Sequence, residues 1–360
     1  MKKTTFYNMH EKYGAKIVEF AGFRMPIQYT SIIGEHKAVR NSVGVFDVSH
    51  MGEVFITGDN AEAFVQHITI NDASKLTPGR VQYSAMCYPE GGIVDDLLVY
   101  KFNDKKFMLV VNASNTDKDF NWMKENNSFG VQIDNKSDDY SLLAVQGPKS
   151  QEVVQQLCSK KLDLEYYHFF EAKVAGMDMI VSRTGYTGEL GYELYFTGNE
   201  KDAEKLWNAL FDAGKPFGIQ PIGLAARDSL RLEMGFCLYG NDIDKTTNPL
   251  EAGLAWITKL NKEEFIGKEA LLKVKAEGLK RRLVPIVSGE KIFPRHGYDI
   301  VNNGNNIGHI TSGTVSPVTD QPIALAYIDV PFSKEGNTVQ ILIRDKKYNA
   351  EIVKLPFIKK

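Results

Sequence analysis

Three stretches of this 360-residue chain put charged side chains where chemistry could use them. The first is Gly91-Gly92-Ile93-Val94-Asp95-Asp96-Leu97-Leu98-Val99-Tyr100. Successive side chains of a strand point to opposite faces, so Asp95 and Asp96 separate. A carboxylate aimed at a covered apolar face must be paired or must meet a ligand. Asp96 shares its face with Val94, Leu98 and Tyr100, which makes it the better candidate for burial. The plainer alternative is two solvated carboxylates just past a tight turn. The second stretch, from Ser182 to Leu194, holds Gly185, Gly188 and Gly191, which would let backbone approach a flat ligand closely. An ordinary hairpin explains those glycines equally well. Glu193 is the sharper point, because it lies between Tyr192 and Leu194-Tyr195-Phe196 on a strand expected to be largely buried. The third stretch, Gly223 to Glu233, reads as a helix with Leu224, Arg227 and Arg231 on one face. Two alanines precede Arg227 and leave room for something to approach it. A surface lattice of Arg227, Asp228 and Arg231 would be the ordinary alternative, and would contribute little. Taken alone, these residues amount to carboxylates and an arginine around a flat polar ligand.

The elements that must position them are mostly strands. Residues 43–48 are β-rich, Ser49-His50-Met51-Gly52 breaks the run, and residues 53–57 alternate. Asp59 is placed to cap a helix through Ile68. Residues 80–86, 93–102 and 106–111 predict three antiparallel strands, joined at Gly91-Gly92 and Asn103-Asp104. A helix over 115–125 follows, then a strand over 140–146 and a helix capped by Ser150. Strands that return by hairpins argue for α+β with mainly antiparallel sheets. From about residue 280 the texture changes to short strands: 281–287, 298–302, 305–315, 323–328 and 338–354. These predict a small separate β-barrel or sandwich, reached through a charged helix at 268–280.

Composition narrows the function. Lys and Arg total 43 against 45 Asp and Glu, for a net charge of −2, so nothing global recruits nucleic acid or an anionic membrane. No apolar run reaches the 18 residues of a membrane span, and the polar start lacks a signal-peptide core. The three cysteines are scattered and the seven histidines dispersed, so neither a disulfide framework nor a metal site is expected. There is no G-x-G-x-x-G, Walker A, H-E-x-x-H or G-x-S-x-G pattern. A cytoplasmic protein without structural metal is predicted.

Seven runs, in order, give the chain a resemblance. They are Phe46–Gly52, Gly91–Leu97, Arg183–Glu193, Ala225–Glu233, Leu238–Asp244, Pro249–Leu254 and Thr311–Pro317. Together they resemble the aminomethyltransferase (glycine cleavage T-protein) family over essentially the whole chain. The resemblance implies a three-lobed α+β folate-binding fold with a C-terminal β-barrel. It divides the chain into a folate-binding region, 1–278, and a barrel, 279–360. Within 1–278 it implies two interleaved subdomains, about 1–54 with 140–278, and 55–139. It implies transfer of a one-carbon unit from the S-aminomethyl-dihydrolipoyl arm of H-protein to tetrahydrofolate, with release of ammonia and no metal. The family's catalytic aspartate falls on Asp96, and Asp95 is the weaker choice. Its pterin-holding glutamate and arginine fall on Glu193 and Arg227, and Met51, Tyr83 and Asn112 match positions lining the folate channel. Tyr166 and Tyr167 stand where the family often has aromatics. The terminal Lys359 and Lys360 are expected to be a solvated tail rather than contacts to folate carboxylates. The competing readings are a folate-dependent demethylase and a non-catalytic folate-binding regulator of the same fold. The segment Gly235–Gly240 lacks the regulator's Lys-Gly-Cys-x-Gly signature.

Overall fold

The computed structural model describes residues 1–359. The chain forms two compact units. The first comprises residues 1–65, 73–82 and 97–228; the second comprises 66–72, 83–96 and everything from Ser229 on.

The first unit is built on a six-stranded sheet. Its order is Phe169–Val174, Met177–Ser182, Gly191–Thr197, Tyr140–Gln146, Gly44–Asp47 and Gln220–Pro221. Neighbours are antiparallel except for the last pair. One face is covered by the helix Glu200–Gly214, started by an Asn199–Asp202 capping box. Ala203, Leu206, Trp207 and Leu210 follow helical spacing and pack with Phe6, Val145, Leu194 and Phe196 in the core. The strands Gly52–Thr57 and Lys106–Val111 belong to a second, five-stranded sheet and pair antiparallel from Gly52↔Val111 to Thr57↔Lys106. Rings fill the space between the two sheets of this unit. Tyr100 meets Phe169 and Tyr195 at centroid distances of 5.2 and 5.7 Å, and Phe55 stacks on Tyr140 at 5.6 Å.

The second unit contains a closed six-stranded barrel. Its order is Arg281–Val287, Pro322–Asp329, Asn305–Val315, Asp299–Asn302, Thr338–Ile343 and Lys346–Ile352. Ile286, Ile300, Ile310, Ala324, Ala326, Ile328 and Ile341 alternate inward along these strands and fill the barrel. The stretch 338–354, expected as one strand, is a hairpin. Its turn falls at Arg344-Asp345, both with positive φ (47° and 65°), a conformation usually marked by Asn-Gly or Asp-Gly. Ser150 is another departure: it is the first residue of the helix Ser150–Gln155, not its cap, and its hydroxyl bonds the Leu190 carbonyl instead. The C-terminal segment is held as far as Ile358, with Phe357 N–H on the Glu233 carbonyl and Ile358 buried. Lys359 is exposed, and Lys360 lies outside the described residues. No helix among the described residues is long and apolar enough to cross a membrane.

Candidate active site

Glu193 is positioned by sheet register, opposite Ser182 on one neighbouring strand and Ala144 on the other. Its Oε2 accepts hydrogen bonds from the Thr184 hydroxyl and, at 3.2 Å, from Tyr195. Tyr195 meets the Tyr100 hydroxyl at 3.0 Å, and Tyr100 donates to Ser182 at 3.1 Å, so a buried hydroxyl network backs the carboxylate. Burial raises the Glu193 pKa, and the Thr184 and Tyr195 bonds and the Arg227 charge work against that rise.

Arg227 lies one turn into the helix Leu224–Met234. The start of that helix is fixed by the buried Glu35. One Glu35 oxygen takes the Gly223 N–H at 2.8 Å, and the other takes Tyr29 and Thr30 N–H at 2.7 and 2.8 Å. A Cβ at Gly223 would stand 2.3 Å from the Ile27 carbonyl oxygen, so only glycine lets the chain pass there. The Arg227 guanidinium sits 4.8 Å from the Tyr186 ring centroid. Arg231, which the ordinary alternative would place in a surface lattice with Arg227, is 1 % exposed and bonds Asp242 at 2.7 Å.

Three further buried groups belong to the first unit and were not anticipated as site residues. The turn after Gly44–Asp47 is held by Asp47, whose carboxylate takes the Ser49 N–H at 2.9 Å, the Thr4 hydroxyl at 2.6 Å and a His10 bond at 2.8 Å. Burial would raise Asp47, but the His10 bond and charge, with the Thr4 and Ser49 bonds, outweigh it together and hold the carboxyl below its usual range. His50, three residues on, has neither ring nitrogen hydrogen-bonded. Burial, with the nearby Arg227 charge, pushes its pKa down to about 3. Glu53, 1 % exposed, also has both carboxyl oxygens unpaired, and burial beside Glu193 raises its pKa well above the ordinary value. His50 stands in the run Phe46–Gly52 that carries the resemblance and Glu53 in the alternating strand after it, but nothing in the sequence marks either as buried and unpaired.

Met51 and Asn112 come together. Gly52 pairs with Val111, so the two residues flank the same end of adjacent strands, and both are half-buried. Gly52 is required there, because a Cβ would fall 2.5 Å from the Thr116 hydroxyl.

In the second unit the structure brings Tyr83 and Asp96 together: the Tyr83 hydroxyl donates to Asp96 Oδ2 at 2.9 Å. Tyr83 also lies against Trp256, 6.1 Å between centroids, and Trp256 is 63 % exposed. The hairpin carrying Asp96 is fixed at its tip. Ile93 N–H bonds the carbonyls of Asp244 and Thr247, and a Cβ at Gly92 would sit 2.0 Å from the Lys245 carbonyl oxygen.

The burial expected of Asp96 is reversed. Asp95 is the fully buried carboxyl, and Asp96 is half-buried. Ile93, Asp95, Leu97 and Val99 all lie on a packed face. On the other face Val94 and Tyr100 are buried while Asp96 and Leu98 remain accessible between them. An opening in an otherwise covered face presents a carboxylate better than full burial does. The glycines of the 182–194 stretch also have another purpose than ligand approach. A Cβ at Gly185 or Gly191 would lie 2.0 or 2.2 Å from the Gln146 side chain. That amide, between them, donates to the Thr184 carbonyl and accepts from the Thr187 hydroxyl. The described residues hold no group of three or more His, Cys, Asp or Glu arranged for a metal ion.

Comparison with known proteins decides the family. Residues 6–262 match the GCVT N-terminal domain, and residues 281–359 the glycine cleavage T-protein C-terminal barrel domain. An aminomethyltransferase of Flavobacterium psychrophilum is 55% identical over 363 residues, covering 100% of both chains. One from Halothermothrix orenii is 49% identical over 99% of this chain and 100% of its own. The crystal structure of glycine cleavage system aminomethyltransferase T from Bartonella henselae superposes with a TM-score of 0.93 at 35% identity, covering 99% of this chain and 98% of that one. The chain belongs to the aminomethyltransferase, or glycine cleavage T-protein, family. The aminomethyltransferase fold class read from the sequence, mainly antiparallel sheets with a C-terminal barrel, is borne out.

Proposed function

We propose that this aminomethyltransferase of the glycine cleavage system uses Asp96 as its catalytic carboxylate and holds the pterin of tetrahydrofolate between Glu193 and Arg227. The one-carbon unit arrives as an S-aminomethyl group on the dihydrolipoyl arm of H-protein, and the reaction is taken to occur in the cytoplasm. Ammonia leaves that carbon, one folate nitrogen forms a C–N bond to it, and the second closes the ring as the C–S bond breaks. Of the two folate N–H protons, one leaves with ammonia and the other with the thiol. The products are 5,10-methylenetetrahydrofolate and dihydrolipoyl H-protein. The transfer calls for no metal. Asp96 orients the folate nitrogen N10 and stabilises the positive charge that develops there. Glu193 accepts from the ring N–H and 2-amino group, while the planar Arg227 fork serves ring acceptors. Met51, Tyr83 and Asn112 line the path of the folate.

The observation that carries the assignment of Asp96 is its accessible carboxylate, tethered by the Tyr83 hydroxyl at 2.9 Å on an otherwise covered face. D96A is expected to lower kcat by about 10²–10⁴-fold, the contribution of a positioned acid–base group, while tetrahydrofolate affinity stays within a few-fold. E193Q and R227A are expected to raise the Kd for tetrahydrofolate. Wild-type turnover in D96A removes the catalytic role, and unchanged folate affinity in both binding variants removes the pterin assignment.

A further inference from the structure

Glu53 is a buried carboxyl for which the protein supplies no partner. Its backbone is satisfied: the N–H bonds the Ser137 hydroxyl at 3.0 Å, and the carbonyl takes Lys136 N–H at 2.9 Å. Its two carboxyl oxygens are buried and bonded to nothing. A buried donor or acceptor left unmade is costly, so such a group in a native fold calls for an explanation, and a ligand is one that its position can test. Strand alternation puts Glu53 on the face it shares with Phe55, toward the layer where the two sheets of the first unit meet. The titratable groups within electrostatic reach across that layer are Glu193 and Tyr195 on one strand and Tyr140 on the next. Arg227 is the cation acting on Glu193, and it also acts on the uncharged His50. Two carboxyls sharing one buried layer do not both ionise readily. Glu193 has hydrogen-bond donors and an arginine in its favour; Glu53 has neither.

We infer that Glu53 is a further binding residue of the pterin site, a carboxylic acid that donates its O–H to a ring acceptor while the charged Glu193 accepts from ring N–H groups. The inference rests on the placement of the pterin at Glu193 and Arg227. It adds a neutral donor to that site, and so a preference for a ring that presents an acceptor opposite its N–H edge. It also makes folate affinity depend on pH. Binding weakens as pH rises through the Glu53 ionisation, because the O–H donor becomes a second carboxylate beside Glu193.

Tetrahydrofolate binding to the full-length wild type, E53Q and E53L, each measured from pH 5.5 to 9, tests this. E53Q keeps a neutral donor and is expected to bind within about threefold of wild type, with the pH dependence flattened. E53L is expected to bind about 10–100-fold more weakly, from the unpaired ring acceptor left behind, while its Tm is equal or higher. E53L with wild-type affinity overturns the inference, and means that Glu53 only holds internal water. E53Q with the same pH profile as wild type also overturns it, and this holds even if E53L fails to fold. A wild type that does not bind tetrahydrofolate overturns the folate site itself, and is thereby distinguished from a failure of Glu53 alone.

Discussion

His50 and Glu53 are three residues apart, both buried, and both held uncharged, yet they pull stability in opposite directions with pH. The folded-state pKa of His50 is about 3, below its unfolded value near 6.5. Below pH 6.5 the unfolded chain takes a proton that the folded one refuses, so His50 costs stability as pH falls. Glu53 has a raised folded-state pKa. Above pH about 4.5 the unfolded chain releases a proton that the folded one keeps, so Glu53 costs stability as pH rises. Between about pH 4.5 and 6.5 the two slopes oppose, each at most about 1.4 kcal/mol per pH unit. Urea unfolding across that window is expected to show E53L gaining on wild type as pH rises and H50L losing ground. Curves parallel to wild type for both variants would contradict the assigned charge states. Neither residue was legible in the sequence, because an unpaired buried group differs from a paired one only through what surrounds it. Asp96 was legible by strand parity, but its exposure was not: parity separates Asp95 from Asp96 and cannot say which face is left partly open.

At the scale of elements, hairpins and amphipathic helices were legible where turn residues announced them. The strands at 80–87, 93–103 and 106–111 follow from alternation between Gly91-Gly92 and Asn103-Asp104. The hairpin of Lys16–Phe20 and Phe23–Gln28 and the turn at Arg344-Asp345 were not: Ala21, Arg344 and Asp345 take positive φ, and neither Ala21-Gly22 nor Arg344-Asp345 is the Asn-Gly or Asp-Gly pair that announces such a turn. Long-range clasps were equally invisible. In the second unit the Lys262 side-chain nitrogen, whose pKa burial lowers to about 7, meets the chain that leaves the helix Ala61–Ile68, donating to the carbonyls of Gln66, Thr69 and Asn71 at 2.6, 2.6 and 2.9 Å. K262M keeps the length of the stem and leaves those carbonyls unmet. It is expected to cost about 1–3 kcal/mol, the penalty for leaving buried acceptors unmet, read as a lower urea midpoint at unchanged m-value. An unchanged midpoint would show that water replaces the side-chain nitrogen without loss.

Across the whole molecule, seven sequence runs identified the family, but not all of them carry chemistry. The runs 238–244 and 311–317 meet around a buried ion pair of the second unit. Arg231 bonds Asp242 and Ser312, Thr311 bonds Asp242, and Tyr327 donates to the Asp242 carbonyl. Glu251, in the run 249–254, pairs with Arg281 at 3.1 Å. D242N leaves Arg231 buried without its counter-charge and is expected to cost about 3–5 kcal/mol in thermal or urea unfolding. A variant as stable as wild type would mean that Arg231 needs no anion. Composition and spacing alone reached only carboxylates and an arginine around a flat polar ligand; the reaction became legible through the ordered runs, because a reaction depends on groups that the fold, not the spacing, brings together. The central claim is that this chain transfers the one-carbon unit to tetrahydrofolate, and the most direct measurement is 5,10-methylenetetrahydrofolate formation from aminomethylated H-protein, with ammonia followed in parallel. Both products are expected to appear in step, only with tetrahydrofolate and this protein present. Tetrahydrofolate binding without either product, given a competent H-protein, would contradict that claim.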